Sequence, residues 1–482
     1  MPLKIIDTDI FVQDMQTRMP FRYGIATMTA APHVFIRVVL DVDGTRTEGF
    51  AADHLPPKWF AKNPDTTLRH DVAQMMDVIE HAVNAARGSA AADSLFDWWR
   101  DLYQTQQAWA ESKAYPALLW GFGVSLVERA AMDAFCRASG QTFAQALQSN
   151  AFGIDLGKVY RELEGVQPQS VLPTKPLNTM NIRHTVGLAD PIGDADIPVD
   201  ERLDDGLPQS LESCIDFYGI TYFKIKVCGD LDVDVPRLKQ IATLLGSTGR
   251  DYRYTLDGNE QFTDVATFKR MWEQLSADAD LARFLKQLMF VEQPFHRDVA
   301  LSDEVGRALR AWSDRPLMII DESDGSPGDL PRALACGYNG TSHKNCKGVI
   351  KGIANACLLA HYRAQFPGQT FIQSAEDLAN VGPVGLLQDL TVVASLGIDN
   401  AERNGHHYFL GLSMVPESIQ SQVLVAHDDL YTRGESGVVR VNVIDGAVRI
   451  DSLVNAPFGL GYDLDVSVLT PRDQWAIESV EG

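Results

Sequence analysis

From residue 178 onward the chain alternates short apolar strands with amphipathic helical segments, and no other feature limits its fold so strongly. Strands are predicted near Asn181 to Leu188, 221 to 227, Tyr252 to Leu256, Leu288 to Val291, Leu317 to Ile320, a segment ending near Lys344, Thr370 to Gln373, and His407 to Leu410. Helical patterns fill the intervals, near Leu207 to Tyr218, Val233 to Leu245, 264 to 287, Leu301 to Trp312, 329 to 336, Gly352 to Gln365 and Pro383 to Ser395. Such repetition demands parallel strands joined by right-handed crossovers, and eight units predict closure into a (β/α)8-type barrel, an α/β fold. The acidic stretch Asp190 to Asp205 after the first strand is expected to be a solvated excursion.

Residues 1 to 60 have a different texture. Val34, Ile36, Val38 and Leu40 alternate with His33, Phe35, Arg37 and Val39 up to a turn at Asp43-Gly44, the pattern of an antiparallel sheet. From about Thr67 to Ala146 the period becomes helical, and Leu126, Ala130, Met132, Ala134 and Leu147 with Trp98 and Trp99 predict apolar helices packed on that sheet. The proline-rich run between Gly165 and Asn178 marks a junction, so an α+β domain over 1–165 is expected to precede a barrel over 178–430.

The formal net charge of -22 sets the field of the whole molecule against phosphate, which disfavours nucleic acid and anionic membrane surfaces as partners. No window approaches a membrane span and the N-terminus has no signal-like apolar core, so a cytoplasmic location is expected. Six scattered cysteines without a CxxC pair are expected to be reduced and structural.

In a barrel of this kind chemistry gathers where strands end at the C-terminal rim. Three strands run from apolar residues directly into carboxylates, at Asp257-Gly-Asn259, Glu292-Gln293-Pro294 and Asp321-Glu322-Ser323. One such acid is well explained as a helix cap or turn residue. Three on successive strands would repel one another unless a cation neutralised them, and oxygen-only ligands select a hard ion, most simply Mg²⁺. The preceding strand, Tyr222-Phe-Lys224-Ile-Lys226-Val227, carries two lysines on one face, which solvent on an open sheet would explain equally well until those acids are set beside them. Lys344 ends a strand half a turn round the barrel. Its neighbour His343 should point into the strand–helix packing, and Lys347, beside Gly348, is expected to be solvated or anion-binding.

These motifs, in this order, resemble the enolase superfamily, in its muconate-lactonizing branch (mandelate racemase/muconate lactonizing enzyme type). Lys224-Ile-Lys226 is similar to that branch's K-x-K strand, the three acids to its metal-ligand strand ends, and Lys344 to its opposite-face lysine. Val34 to Gly49 and Leu126 to Gly140 are similar to parts of its capping domain. The tail around Asp445-Gly446 and Pro457 to Gly461 is similar to the segment, here 431–482, that returns to complete the cap. No His closes the seventh strand, where Ser374-Ala375-Glu376-Asp377 stands, which argues against the His-Asp dyad of the mandelate-racemase branch.

The resemblance implies Mg²⁺-assisted abstraction of a proton alpha to a carboxylate, giving an enediolate, with Mn²⁺ a possible substitute. It implies Asp257, Glu292 and Asp321 as metal ligands, Lys226 as base on one face and Lys344 as acid or base on the other. Lys224 would hold the substrate carboxylate and, with the metal, depress the pKa of Lys226. Asn259, Gln293 and Glu322 are expected to support the ligands or substrate, and Glu376 to touch substrate. Phe21, Arg22 and Tyr23, with Asp53 and His54, lie where the family's specificity loops fall. The expected partner is a small carboxylate substrate, the expected assembly a homo-oligomer. Outcomes left open are dehydration of an acid sugar, racemisation or epimerisation, and cycloisomerisation. A lysine Schiff-base aldolase and a non-catalytic, metal-stabilised binding barrel are the rivals from other classes.

Overall fold

A computed structural model describes residues 1–23 and 25–477. The N-terminal unit begins with β1 (Leu3–Gln13), β2 (Gln16–Tyr23), β3 (Ala26–Ala30), β4 (His33–Val42) and β5 (Thr45–His54). β1, β4 and β5 form an antiparallel sheet, and β2 and β3 a separate hairpin. The turn between β4 and β5 uses Asp43 and Gly44, both at positive φ, as a tight hairpin requires. Helices α1 (Leu68–Arg87), α2 (Leu95–Lys113), α3 (Ala117–Ser139) and α4 (Phe143–Gln148) follow. Of these, α3 lies against the sheet so closely that a Cβ on Gly49 would sit 2.2 Å from the Ala130 carbonyl oxygen.

Eight parallel strands alternate with helices thereafter. They run β6 (Thr179–Val186), α5 (Leu211–Tyr218), β7 (Tyr222–Lys226), α6 (Leu231–Ser247), β8 (Arg253–Asp257), α7 (Val265–Ala277), α8 (Ala282–Leu285) and β9 (Leu288–Glu292). The series continues with α9 (Arg297–Ala300), α10 (Asp303–Ala311), β10 (Met318–Ile320), α11 (Asp329–Cys336), β11 (Gly340–His343), α12 (Val349–Gln365), β12 (Ile372–Ala375), α13 (Gly385–Ser395) and β13 (Asn400–Glu402). Ladders connect β12 through β11, β10, β9, β8, β7 and β6 to β13, giving a barrel closed except for the β12–β13 seam. Arg183, 1% exposed, bridges that seam, donating to Asn400 Oδ1 at 2.6 Å on one side and Ser374 Oγ at 2.7 Å on the other.

Two expectations are corrected. The eighth strand is Asn400–Glu402, and α14 (Gly405–Tyr408) occupies part of the segment expected to be that strand. The stretch 264 to 287 is two helices joined by a 3₁₀ turn. The acidic loop is exposed over most of 194 to 204, as expected, with its ends tied down: Arg18 of β2 donates to both oxygens of Asp205, at 2.6 and 2.8 Å, and Tyr408 Oη donates to Asp190 at 2.7 Å.

The C-terminal segment carries α15 (Glu417–Ala426), β14 (Tyr431–Arg433) and β15 (Val439–Val441), then β16 (Ala447–Arg449), which pairs with β6 of the barrel. Only after α16 (Asp451–Val454) does it reach the first domain, where β17 (Thr470–Pro471) pairs with β1 and Phe458 stacks on Phe143. One apolar core fills the space around the barrel; a second joins the N-terminal helices to α12. No described helix is long and apolar enough to cross a membrane. All six cysteines are free, five of them buried.

Candidate active site

Parallel register brings the rim residues to one height. Lys226 pairs across the ladder with Asp257, and Asp257 with Glu292. The chain leaves these strands through strained turns, with Asn259, Glu260 and Gln293 all at positive φ, conformations held by their surroundings. Gly258 allows the close approach, since a Cβ there would meet Pro294 Cα at 2.7 Å. Gln293 straps two strand ends together. Its Oε1 accepts from Asp321 N at 2.8 Å while its Nε2 donates to Ser323 Oγ at 2.8 Å.

Four lysines and five carboxylates form one buried network. Lys224 Nζ lies 3.0 Å from Asp257, 2.9 Å from Glu292, and 2.8 Å from both Glu376 and Glu402. Among the described residues Lys226 Nζ pairs only with Asp257, at 2.6 Å. Lys344 Nζ bridges Asp321 at 2.8 Å and Glu376 at 3.0 Å, and Lys347 Nζ meets Asp321 at 2.6 Å. Burial acting alone would discharge Lys224 and Lys344, but their acid partners outweigh it and hold both pKa values well above the usual lysine range. Burial likewise opposes ionisation of Asp257, yet Lys224 and Lys226 bring it down to about 2. Glu292 goes the other way, raised by burial and then by the nearby Glu376.

The acids fit a hard cation. Glu292, Asp321 and Glu376 each offer one oxygen, all within 4.8 Å of one another, and Glu292 Oε2 is buried without a hydrogen-bond partner. Asp257, expected among the ligands, is turned instead toward the two lysines of β7. Oxygen donors alone suit Mg²⁺ rather than zinc.

A cavity opens over this network, lined from the barrel by Lys224, Lys226, Asp257, Asn259, Asp321, Lys344, Glu376 and Glu402 and from the N-terminal domain by Phe21, Tyr23, Met28, Pro56 and Trp59. Several expected contacts lie elsewhere. Arg22 is exposed, in a groove beside the acidic loop. Asp53 is buried against Arg129 at 2.9 Å and accepts from Asn380, pinning the two domains together. His54 is likewise buried, its Nδ1 3.1 Å from the Leu378 carbonyl. Lys347 is not solvated, because it donates to the carbonyls of Asp321 and Ser342 from a position 6% exposed. Glu322, pushed up to about 8 by burial and by Asp321, accepts from Asn259 Nδ2 at 3.5 Å. His343 packs under α12, where a Cβ on Gly352 would strike its ring.

Three contributors were not anticipated. Glu402 ends β13 and receives Lys224 and the Thr185 hydroxyl. The Trp59 ring lies 4.3 Å beneath the Lys344 ammonium, a cation–π contact. Glu128 of α3 accepts the backbone N–H groups of Val349 and Ile350, so a carboxylate from one domain caps the helix that follows Lys344 and Lys347 in the other. A strand-end acid after Asn-Ala was the only local sign of Glu402; Trp59 and Glu128 carried none.

No family model and no curated protein sequence matches the chain. Solved structures do. Muconate lactonizing enzyme from Pseudomonas fluorescens, complexed with muconolactone, is 15% identical with a TM-score of 0.60, covering 97% of this chain and 99% of its own. The L-Ala-D/L-Glu epimerase from Bacillus subtilis is 16% identical with a TM-score of 0.54, covering 91% and 96%. An enolase from Bradyrhizobium, complexed with magnesium and mandelic acid, is 17% identical with a TM-score of 0.54, covering 93% and 94%. The chain has the fold of these enolase-superfamily proteins over nearly its whole length.

Proposed function

We propose that the chain is an enolase-superfamily enzyme that removes a proton alpha to the carboxylate of a small acid, through an enediolate, as a racemase, epimerase or acid-sugar dehydratase does. The observation that carries this reading is the placement of Lys226 and Lys344, from opposite parts of the barrel, on one cavity that also holds Asp257 and Asp321. A proton base on each side of a bound substrate is what stereochemical inversion, or removal and return of a proton, requires.

Glu292 and Asp321, with Glu376 in place of the expected Asp257, would hold Mg²⁺, or Mn²⁺ in its place. When bound, the ion supplies positive charge against the second negative charge that develops on the substrate carboxylate. The chain's own groups divide the rest of the work. Lys224, amid four carboxylates, stays charged and organises the acids. Lys226, paired with Asp257, and Lys344, paired with Asp321 and Glu376, reach the cavity from opposite parts of the barrel, where each can take or return the alpha proton. Phe21, Tyr23 and Trp59 exclude water above them.

The test is a screen of sugar acids, N-acylamino acids and dipeptides in D₂O with Mg²⁺, reading deuterium at the alpha carbon by mass. Mg²⁺-dependent exchange in at least one class is expected, and its absence from all three with metal bound would overturn the proposal. Borohydride trapping of an adduct on Lys226 or Lys344 would favour the Schiff-base aldolase instead.

A further inference from the structure

A second buried cluster, of nitrogen and sulfur donors, lies on the other side of the first barrel strand. Arg183 and Thr185 of β6 point into the barrel, toward Ser374 and Glu402, so His184 between them points out. There it meets Cys214 of α5 and His407 of α14. One donor atom from each lies within 4.8 Å of the other two, and none of the three residues is more than 2% exposed. Cys214 Sγ and His407 Nδ1 are 3.5 Å apart, and His184 Nδ1 is 3.2 Å from His406 Nε2.

We propose that His184, Cys214 and His407 bind a transition-metal ion of the zinc class, with His406 available as the fourth donor, and that this ion ties the last barrel unit to the first. Two imidazoles and a thiolate select such an ion over Mg²⁺. Bonds of ~2.3 Å to sulfur and ~2.0 Å to nitrogen at a tetrahedral angle place S and N about 3.5 Å apart, the spacing Cys214 and His407 already have. Burial keeps the rings neutral, the form that ligates, with His184 pushed down to about 4. Burial raises the Cys214 thiol, so binding would release its proton. Arg18, whose guanidinium donates to the His407 carbonyl, is already neutralised by Asp205.

The location has a use. β13 is laddered to β6 but not, among the described residues, to β12, and on that side the chain after Glu402 is tied through Arg403, which pairs with Asp377 and Asp389. Tyr408, next to His407, stacks on Phe21 at 4.1 Å, and Phe21 lines the cavity. An ion here would fix that wall without touching substrate, whatever reaction the cavity performs.

The test is titration of chelator-treated full-length protein with Co²⁺ alone, read by absorption. Binding of one equivalent with a thiolate-to-cobalt charge-transfer band and tetrahedral d–d bands is expected. Zn²⁺ should displace both. The charge-transfer band should vanish in Cys214→Ser and persist in Asp321→Asn, which disables the oxygen site. In His184→Gln, which spares every thiol, Co²⁺ affinity should fall at least about tenfold. No charge-transfer band in the wild type, a band that survives Cys214→Ser, or unchanged affinity in His184→Gln would overturn the proposal.

Discussion

Replacing Lys224 with Met removes the ammonium on which four carboxylates converge while keeping most of the side chain's volume. Two of the acids retain cationic partners: Asp257 keeps Lys226 and Glu376 keeps Lys344. Glu402 keeps the Thr185 hydroxyl and Asn404 Nδ2, at 3.4 Å, and Glu292, fully buried, keeps no cationic partner among the described residues. Stranding a buried charge in this way costs about 3–5 kcal/mol. At about 2 °C per kcal/mol for a large domain, the apparent Tm in EDTA should fall by about 8 °C. The loss should depend on pH with a definite sign. Burial already holds the folded pKa values of Glu292 and Glu402 above their unfolded ones, and without Lys224 to oppose it both rise further. The stability this confers on their protonated forms is present below the unfolded pKa and lost as pH rises through the folded one, so the deficit should be larger near pH 8 than near pH 5. Saturating Mg²⁺ should raise the Tm of the variant more than that of the wild type, because it replaces the missing charge. Thermal melts in EDTA and in Mg²⁺ at both pH values check all of this. A deficit under about 2 °C in EDTA, an equal deficit at the two pH values, or no extra response to Mg²⁺ would refute the electrostatic account of the network.

Lys226→Ala should abolish deuterium exchange on one substrate face, and Lys344→Ala on the other, each leaving Mg²⁺ binding by calorimetry nearly intact; loss of metal from either would show that the lysine holds the acids rather than moves the proton. Trp59→Leu removes the ring under Lys344, a contact worth about 1–2 kcal/mol when desolvated, so kcat/KM should fall about tenfold with the fold unchanged by circular dichroism. Glu128→Gln tests the cap on α12. Burial pushes the Glu128 carboxyl from 4.5 up to about 7, so it contributes stability below pH 4.5 that is lost as pH rises through 7, about 3 kcal/mol in all. Denaturant midpoints of the Gln variant should therefore fall less steeply than those of the wild type between these limits, and parallel slopes would count against a protonated Glu128.

What the sequence made legible, and what it hid, divides along a physical line. The acids Asp257, Glu292 and Asp321 and the lysines Lys224, Lys226 and Lys344 stand at the ends of strands whose apolar residues announce them, and the alternation of strand and helix sets all of them on one rim. The eighth strand fails that test. Asn400-Ala401-Glu402 has one apolar side chain, whereas His407-Tyr-Phe-Leu410 has the aromatic richness of a strand and yet begins in a helical turn, with Tyr408 N bonded to Asn404 O and Phe409 N to Gly405 O. Its aromatics are there to pack beneath the first domain, Tyr408 on Phe21 and Phe409 on His54. The same cause moved Asp53 and His54 out of the expected cavity: α3 covers one side of β5 and the barrel loops cover the other, so the last six residues of that strand are all buried. Nothing near Lys347 in the chain distinguishes a solvated lysine from one aimed at the Asp321 and Ser342 carbonyls. Residues whose environment is made by their own strand could be read locally. Those whose environment is made where the two domains meet could not, and Trp59, Glu128 and Glu402 belong to that second group or to its consequences. The cavity is therefore a joint product: the barrel supplies its charges, and the N-terminal domain decides how dry they are.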